Sequence, residues 1–108
     1  MTRGDLFRVC KGAREDPKSH RVFVVVNRQP AIDSQYSTVI CAPVYSAFHG
    51  LATQVEVGER NGLKRTSSIH CDGLISIPKS KLTDFIGHLD PETLNRLKEA
   101  LAIALGLK

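Results

Sequence analysis

The stretch His20-Arg21-Val22-Phe23-Val24-Val25-Val26 decides the fold. After Arg21 it is an unbroken run of β-branched and aromatic residues, the composition of a strand covered on both faces. Upstream, Leu6-Phe7-Arg8-Val9-Cys10 alternates well enough to be a first strand. The segment between them, KGAREDPKS from Lys11 to Ser19, is charged and carries Gly12 and Pro17, so it reads as an exposed loop. Downstream, Asn27 to Ser37 holds Pro30, Asp33 and Ser34 and reads as a second long loop.

Further along, Thr38 to Val44 is another apolar strand, where Pro43 implies a sheet edge or a strand end. Tyr45 to Leu51 reads as a loop opening at the end of that strand. Thr53-Gln54-Val55-Glu56-Val57 alternates polar and apolar residues, which predicts a strand with one wet face. Asn61-Gly62 signals a tight turn. Ser67 to Asp72 is the next strand, Gly73 marks a bulge or a close backbone approach, and Leu74 to Ile77 continues the strand until Pro78. Lys79 to Phe85 is mixed and carries no period. Asp90 then reads as a helix N-cap with Pro91 in the first helical position. Leu94, Leu97, Leu101 and Leu105 fall on one helical face, and Gly106 supplies the stop.

Short strands joined by polar loops and closed by one helix predict a mainly β (α+β) fold, a small, partly open barrel covered on one side by the helix. At 108 residues the chain is one domain, 1–108. Hydrophobic residues make up 42 %, which supplies a core and excludes a disordered chain. The long apolar strands on so small a chain favour a homodimer. The absence of Trp, with two Tyr and four Phe, argues against a module that binds RNA mainly by stacking bases. A net charge of +4 favours phosphate-bearing or acidic partners. Cys10, Cys41 and Cys71 form no CxxC pair and beside apolar neighbours read as buried thiols, with neither a disulfide framework nor a metal site expected. Neither a leader-like apolar stretch nor a membrane-spanning run is present, so a cytoplasmic location is expected.

No phosphate loop, HExxH or GxSxG occurs, so any chemistry falls to scattered strand-end residues with no cofactor. Arg21 opens the most hydrophobic strand and is placed to hold a phosphate through its guanidinium, or else simply ends a buried run. Tyr45 and Ser46 end the third strand and offer hydroxyls, with His49 in the same loop. His20 adjoins Arg21 but, if the strand has begun, faces the other side. His70 and Asp72 sit two apart, so that on one strand face a carboxylate would orient an imidazole.

These residues fall in a familiar order. Arg3-Gly4-Asp5 precedes the first strand, Arg21 leads into Val24-Val25-Val26, and Val39 to Val44 closes on a hydroxyl pair. Ser67 to Asp72, Ile77, Lys79-Ser80-Lys81-Leu82, Gly87-His88-Leu89 and the Glu- and Leu-rich helix complete it. The chain as a whole resembles the MazF/PemK toxins of bacterial toxin–antitoxin pairs. The resemblance implies an SH3-like barrel, a homodimer, and a metal-independent endoribonuclease that cuts single-stranded messenger RNA at short sequences. It also implies a cognate antitoxin whose acidic segment lies across the dimer groove.

On this resemblance Arg21 takes the place of the family's catalytic Arg, with Tyr45 and Ser46 as hydroxyl partners, and Lys18, His20, His49, Asp72 and Lys79 are candidates to contact RNA. The sequence departs from the family pattern at four points. Val22 follows the Arg where Pro is usual, Tyr45 stands in the position of the usual Thr, and Gly73 and Ile75 replace a Gln and a basic residue. These departures imply a changed cleavage sequence. They also leave open a catalytically weakened member that acts as an antitoxin-binding or repressor-partner protein, and because a fold does not fix its target, a gyrase-poisoning relative on the same barrel stays open too.

Overall fold

The computed structural model describes residues 1–10 and 20–108. Among them, β1 (Asp5–Cys10), β2 (His20–Val25), β3 (Thr38–Tyr45), β4 (Gln54–Val57), β5 (Ser67–His70), β6 (Ile75–Pro78) and β7 (Asp84–His88) form one antiparallel sheet. Two helices, α1 (Gln29–Asp33) and α2 (Pro91–Ala104), complete the regular elements with three short 3-10 turns. The strand order is β4-β5-β3-β2-β1-β7, and β6 pairs separately with β3. The expected loop over Lys11–Ser19 lies outside the described residues.

The run that opened the sequence reading is the middle of this sheet. In β2 and the residue after it, Val24 and Val26 face a core cluster containing Leu97, Ala100 and Leu101 of α2. Phe23 and Val25 face a second cluster, with Phe7, Val39, Cys41 and Ile77, on the opposite face. A strand between two cores has no wet face, so every second position cannot be polar. At the sheet margin, β4 shows the contrasting pattern: Val55 and Val57 are buried and Glu56 is exposed.

Several expectations need correction. Ser67 to Pro78 is two strands, because β5 pairs with the C-terminal end of β3 and β6 with its N-terminal half. The chain turns between them through a 3-10 turn at Cys71–Gly73, which curls the sheet into a half-barrel. A side chain at Gly73 would sit tightly against the Pro43 ring, with its Cβ 3.2 Å from Pro43 Cγ, so glycine lets the corner close without displacing that ring. Pro43 is not at a sheet edge. It sits where β3 changes partner from β6 to β5, and neither register includes it, so its missing N–H costs no ladder bond.

Asn61-Gly62 lies in a tight turn as expected. Residues 58–66 link β4 to β5 through a 3-10 turn at Glu59–Asn61, capped by Gly62 at φ 92°. The turn docks on β7, where a Cβ on Gly87 would lie 2.3 Å from the Asn61 carbonyl oxygen. Within the expected loop 27–37, α1 forms behind Pro30 and buries Ile32 in the second cluster. In 79–88, β7 pairs with β1 where no period was legible.

Helix α2 follows the sequence closely. Asp90 accepts the Thr93 amide and Pro91 opens the first turn. Leu97 and Leu101 are buried and Leu94 packs at the margin of the same cluster. Leu105 lies beyond the last turn and is exposed, and Gly106 at φ 71° ends the helix. Burying Leu97 alone is worth about 2 kcal/mol by transfer of its side chain from water.

Candidate functional site

A groove of about 520 Å³ opens where β2, β3 and β5 end together. Its walls are Arg21, Val22, Val44, Tyr45, Ser46, Ala47, His49 and His70. The strand registers explain the convergence. Val22 pairs with Val44, so one further step brings Arg21 beside Tyr45. Tyr45 in turn pairs with Ser68, so Ser68 and His70 share its face of the sheet. Three side chains widely separated in sequence are thereby set on adjacent strands, about 5 Å from strand to strand.

Arg21 is exposed and makes no ion pair with any described residue, leaving its guanidinium available to an anion. Val22 and Val44 form an apolar floor below it and pack towards the α2 core. The Tyr45 ring stands edge-on to the His70 ring, with centroids 4.8 Å apart at 81°. The His49 ring lies 6.5 Å from that of His70. His70 Nε2 meets the Ala47 carbonyl oxygen at 3.1 Å, and the His49 amide donates to Gln54 Oε1 at 2.8 Å, so the loop after β3 is tied to β5 and β4. Among the described residues, no carboxylate lines the groove. One guanidinium, two imidazoles and two hydroxyls around a partly apolar floor suit a phosphodiester, with its anionic oxygens and its sugar.

The other residues singled out from the sequence fall elsewhere. His20 heads β2 opposite Cys10, and Lys18 lies outside the described residues. Asp72 does not share a strand face with His70, because the strand ends at His70 and Asp72 belongs to the following 3-10 turn. Its Oδ2 accepts the Thr53 hydroxyl at 2.6 Å. Lys79 pairs its Nζ with the Ser34 carbonyl at 2.7 Å, next to the start of β3. The length of β3 puts it roughly 20 Å from the groove. Ile75, which stands in the position of the family's basic residue, is 43 % exposed on β6.

Val44 and Ala47 escaped the sequence reading, and Val22 entered it only as a departure from the family pattern, because apolar and small residues carry no chemical signal and only the three-strand register brings them together. Cys41 and Cys71 are buried thiols as expected, whereas Cys10, the last residue of β1, is partly exposed. Burial pushes Cys41 up to about 12. Burial, then the charge of Asp72, pushes Cys71 up to about 11. Both stay protonated and unreactive at neutral pH.

A curled antiparallel half-barrel, closed by one helix and carrying a cationic groove at its strand ends, defines a small-barrel protein suited to an anionic ligand. Residues 2–105 match the family described as the PemK-like, MazF-like toxins of type II toxin–antitoxin systems, and the chain belongs to that family. The endoribonuclease MazF3 of Mycobacterium tuberculosis is 32 % identical over 84 residues, covering 78 % of this chain and 82 % of that one. Endoribonuclease EndoA of Bacillus subtilis is 43 % identical over 58 residues, a match spanning 53 % of this chain and half the length of that relative. Among solved structures, the Mycobacterium tuberculosis toxin MazF-mt6 superposes with a TM-score of 0.81 at 27 % identity, over 96 % of this chain and 98 % of that one. A mycobacterial endoribonuclease solved with its cognate antitoxin has the same fold, with a TM-score of 0.83 at 24 % identity, over 100 % of this chain and 97 % of that one.

Proposed function

We propose that this chain is the toxin of a type II toxin–antitoxin pair and an endoribonuclease that cleaves single-stranded messenger RNA through its own 2′-OH. The observation that supports this reading is the convergence of Arg21, Tyr45 and Ser46 on one groove, to which no described residue contributes a carboxylate. A phosphate seated there meets the Arg21 guanidinium, which offsets the charge that builds on the pentacoordinate phosphorus. Tyr45 and Ser46 hydrogen-bond the phosphate and the flanking ribose. The nucleophile belongs to the RNA, so positioning and charge stabilisation supply most of the acceleration. The products are a 2′,3′-cyclic phosphate and a free 5′-OH, without a metal. His49 contacts the strand as it leaves the groove.

The whole span 1–108 acts as one toxin domain, in the cytoplasm where messenger RNA is translated. It works as a homodimer, and an acidic antitoxin segment covers the groove. Phe48 and Leu51, both about half exposed in the loop beside the groove, offer apolar anchors to such a segment. A basic groove serves RNA and acidic peptide alike, so the two compete.

The test is cleavage of a long single-stranded transcript in EDTA by wild type and by Arg21→Ala. Discrete fragments with cyclic-phosphate and 5′-OH ends are expected. In Arg21→Ala the rate falls on the order of 10²-fold or more, the usual effect of losing a charge-stabilising group. Intact RNA with folded wild type, together with tight antitoxin binding, would instead support a binding-only member, the reading that Tyr45 in place of the usual Thr favours.

A further inference from the structure

We propose that His70 is the general base of the cleavage step, an inference that rests on the ribonuclease reading above. Among the described residues, the groove is lined by a guanidinium, two hydroxyls and the imidazoles of His49 and His70. Guanidinium and hydroxyl groups are poor bases, whereas imidazole is the side chain suited to general acid–base work. The two imidazoles differ in how they are held. No hydrogen bond to a described residue orients the His49 ring, whose centroid is 6.5 Å from that of His70. His70 is at the end of β5, braced edge-on by Tyr45 and tied to the Ala47 carbonyl through Nε2.

That carbonyl sets the tautomer. A carbonyl oxygen only accepts, so the nitrogen facing it at 3.1 Å carries the proton. In the neutral ring Nδ1 is then the basic nitrogen, and no described residue hydrogen-bonds to it. A backbone carbonyl orienting one ring nitrogen while the other takes a proton is the arrangement of an acid–base histidine. Among the described residues, the charged and titratable groups facing His70 are Arg21 from β2, Tyr45 from β3 and His49 from the loop. Opposite it on β4 stands the uncharged Gln54, and Asp72 is held by Thr53. Among the described residues, no carboxylate lines the groove beside the ring.

The proton balance closes within the groove. His70 Nδ1 takes the 2′-OH proton as the O2′–P bond forms and the P–O5′ bond breaks. The leaving O5′ takes a proton from the Tyr45 hydroxyl, and the resulting tyrosinate recovers one from the neighbouring imidazolium. One proton has moved from O2′ to O5′, and both side chains are restored.

The deciding experiment is single-turnover cleavage of a long messenger transcript in EDTA across the acidic and neutral range, with wild type and His70→Gln. The wild-type rate should fall about tenfold per pH unit on the acidic side, as a base that must be neutral requires. His70→Gln should be slower on the order of 10²- to 10⁴-fold, bind RNA as wild type does, lose the acid limb and recover rate on adding imidazole. A His70→Gln variant that cleaves near the wild-type rate, or keeps the wild-type acid limb, overturns the proposal while the ribonuclease reading stands. A wild-type rate that does not fall with acidity overturns it without recourse to any variant. Wild type inert on RNA at every pH overturns the ribonuclease reading and this proposal with it.

Discussion

Asp90 fixes the start of α2 through several partners at once. Its carboxylate accepts the Thr93 hydroxyl at 2.6 Å and the Thr93 amide, and Asn61 Nδ2 at 3.3 Å from the turn between β4 and β5. The Thr93 hydroxyl, ahead of the amide and of Asn61, holds the carboxyl down at about 2 in the folded chain. An unfolded aspartate titrates near 3.9, so folding favours the ionised form. The resulting stabilisation is complete above about pH 4 and is lost as the pH falls through about 2. Asp90→Ala should lower the melting temperature on the order of a few degrees at neutral pH, and the gap to wild type should close between pH 4 and 2. Circular dichroism melts of both proteins along that pH series check it. The capping role was legible from Asp90-Pro91 alone, since a cap is a local arrangement. Its bond to Asn61 was not, because the two are 29 residues apart.

Helix α2 is the element on which the concave face of the sheet depends. Leu97 is fully buried between the helix and strands β1, β2 and β5 and shares its cluster with Leu6, Val24 and Ile69. Leu97→Ala should cost about 2–5 kcal/mol, lowering the urea midpoint at an unchanged denaturant slope. Equilibrium unfolding followed by circular dichroism measures both quantities. Elements differed in legibility for physical reasons. The helix announced itself because one buried face repeats along its whole length. In contrast, β7 is an edge strand with exposed Asp84 and Phe85 and the small Gly87, so no apolar alternation survives in it. With five residues, α1 is too short to show a helical period, and only Ile32 is buried.

At the scale of the whole molecule, the net charge of +4 acquires a direction from the fold. Arg21 and the two imidazoles face a groove to which no described residue adds a carboxylate, whereas Arg60 and Arg96 pair with Asp90 and Glu92. Binding of single-stranded RNA should therefore be salt-dependent through a small number of phosphates. With two or three phosphates neutralised, affinity should fall roughly tenfold between about 50 and 200 mM salt. Fluorescence anisotropy with a labelled single strand, using Arg21→Ala to suppress cleavage, measures the slope. That slope should be shallower by about one phosphate than an uncleavable 2′-deoxy strand shows with wild type.

The sequence by itself determined the strand between two cores, the closing helix with its cap and stop, the burial of Cys41 and Cys71, and the ordered series of residues that marks the family. Each of these is written in local pattern: continuous β-branched side chains, a helical period, or residue types in a fixed order. Only the tertiary structure decided that Ser67 to Pro78 turns a corner, that Asp72 answers to Thr53, and that Lys79 stands far from the groove. Only it brought Arg21, Tyr45 and His70 together. A site made where three strands end is set by register between distant segments, and register is a property of pairing that no single segment contains.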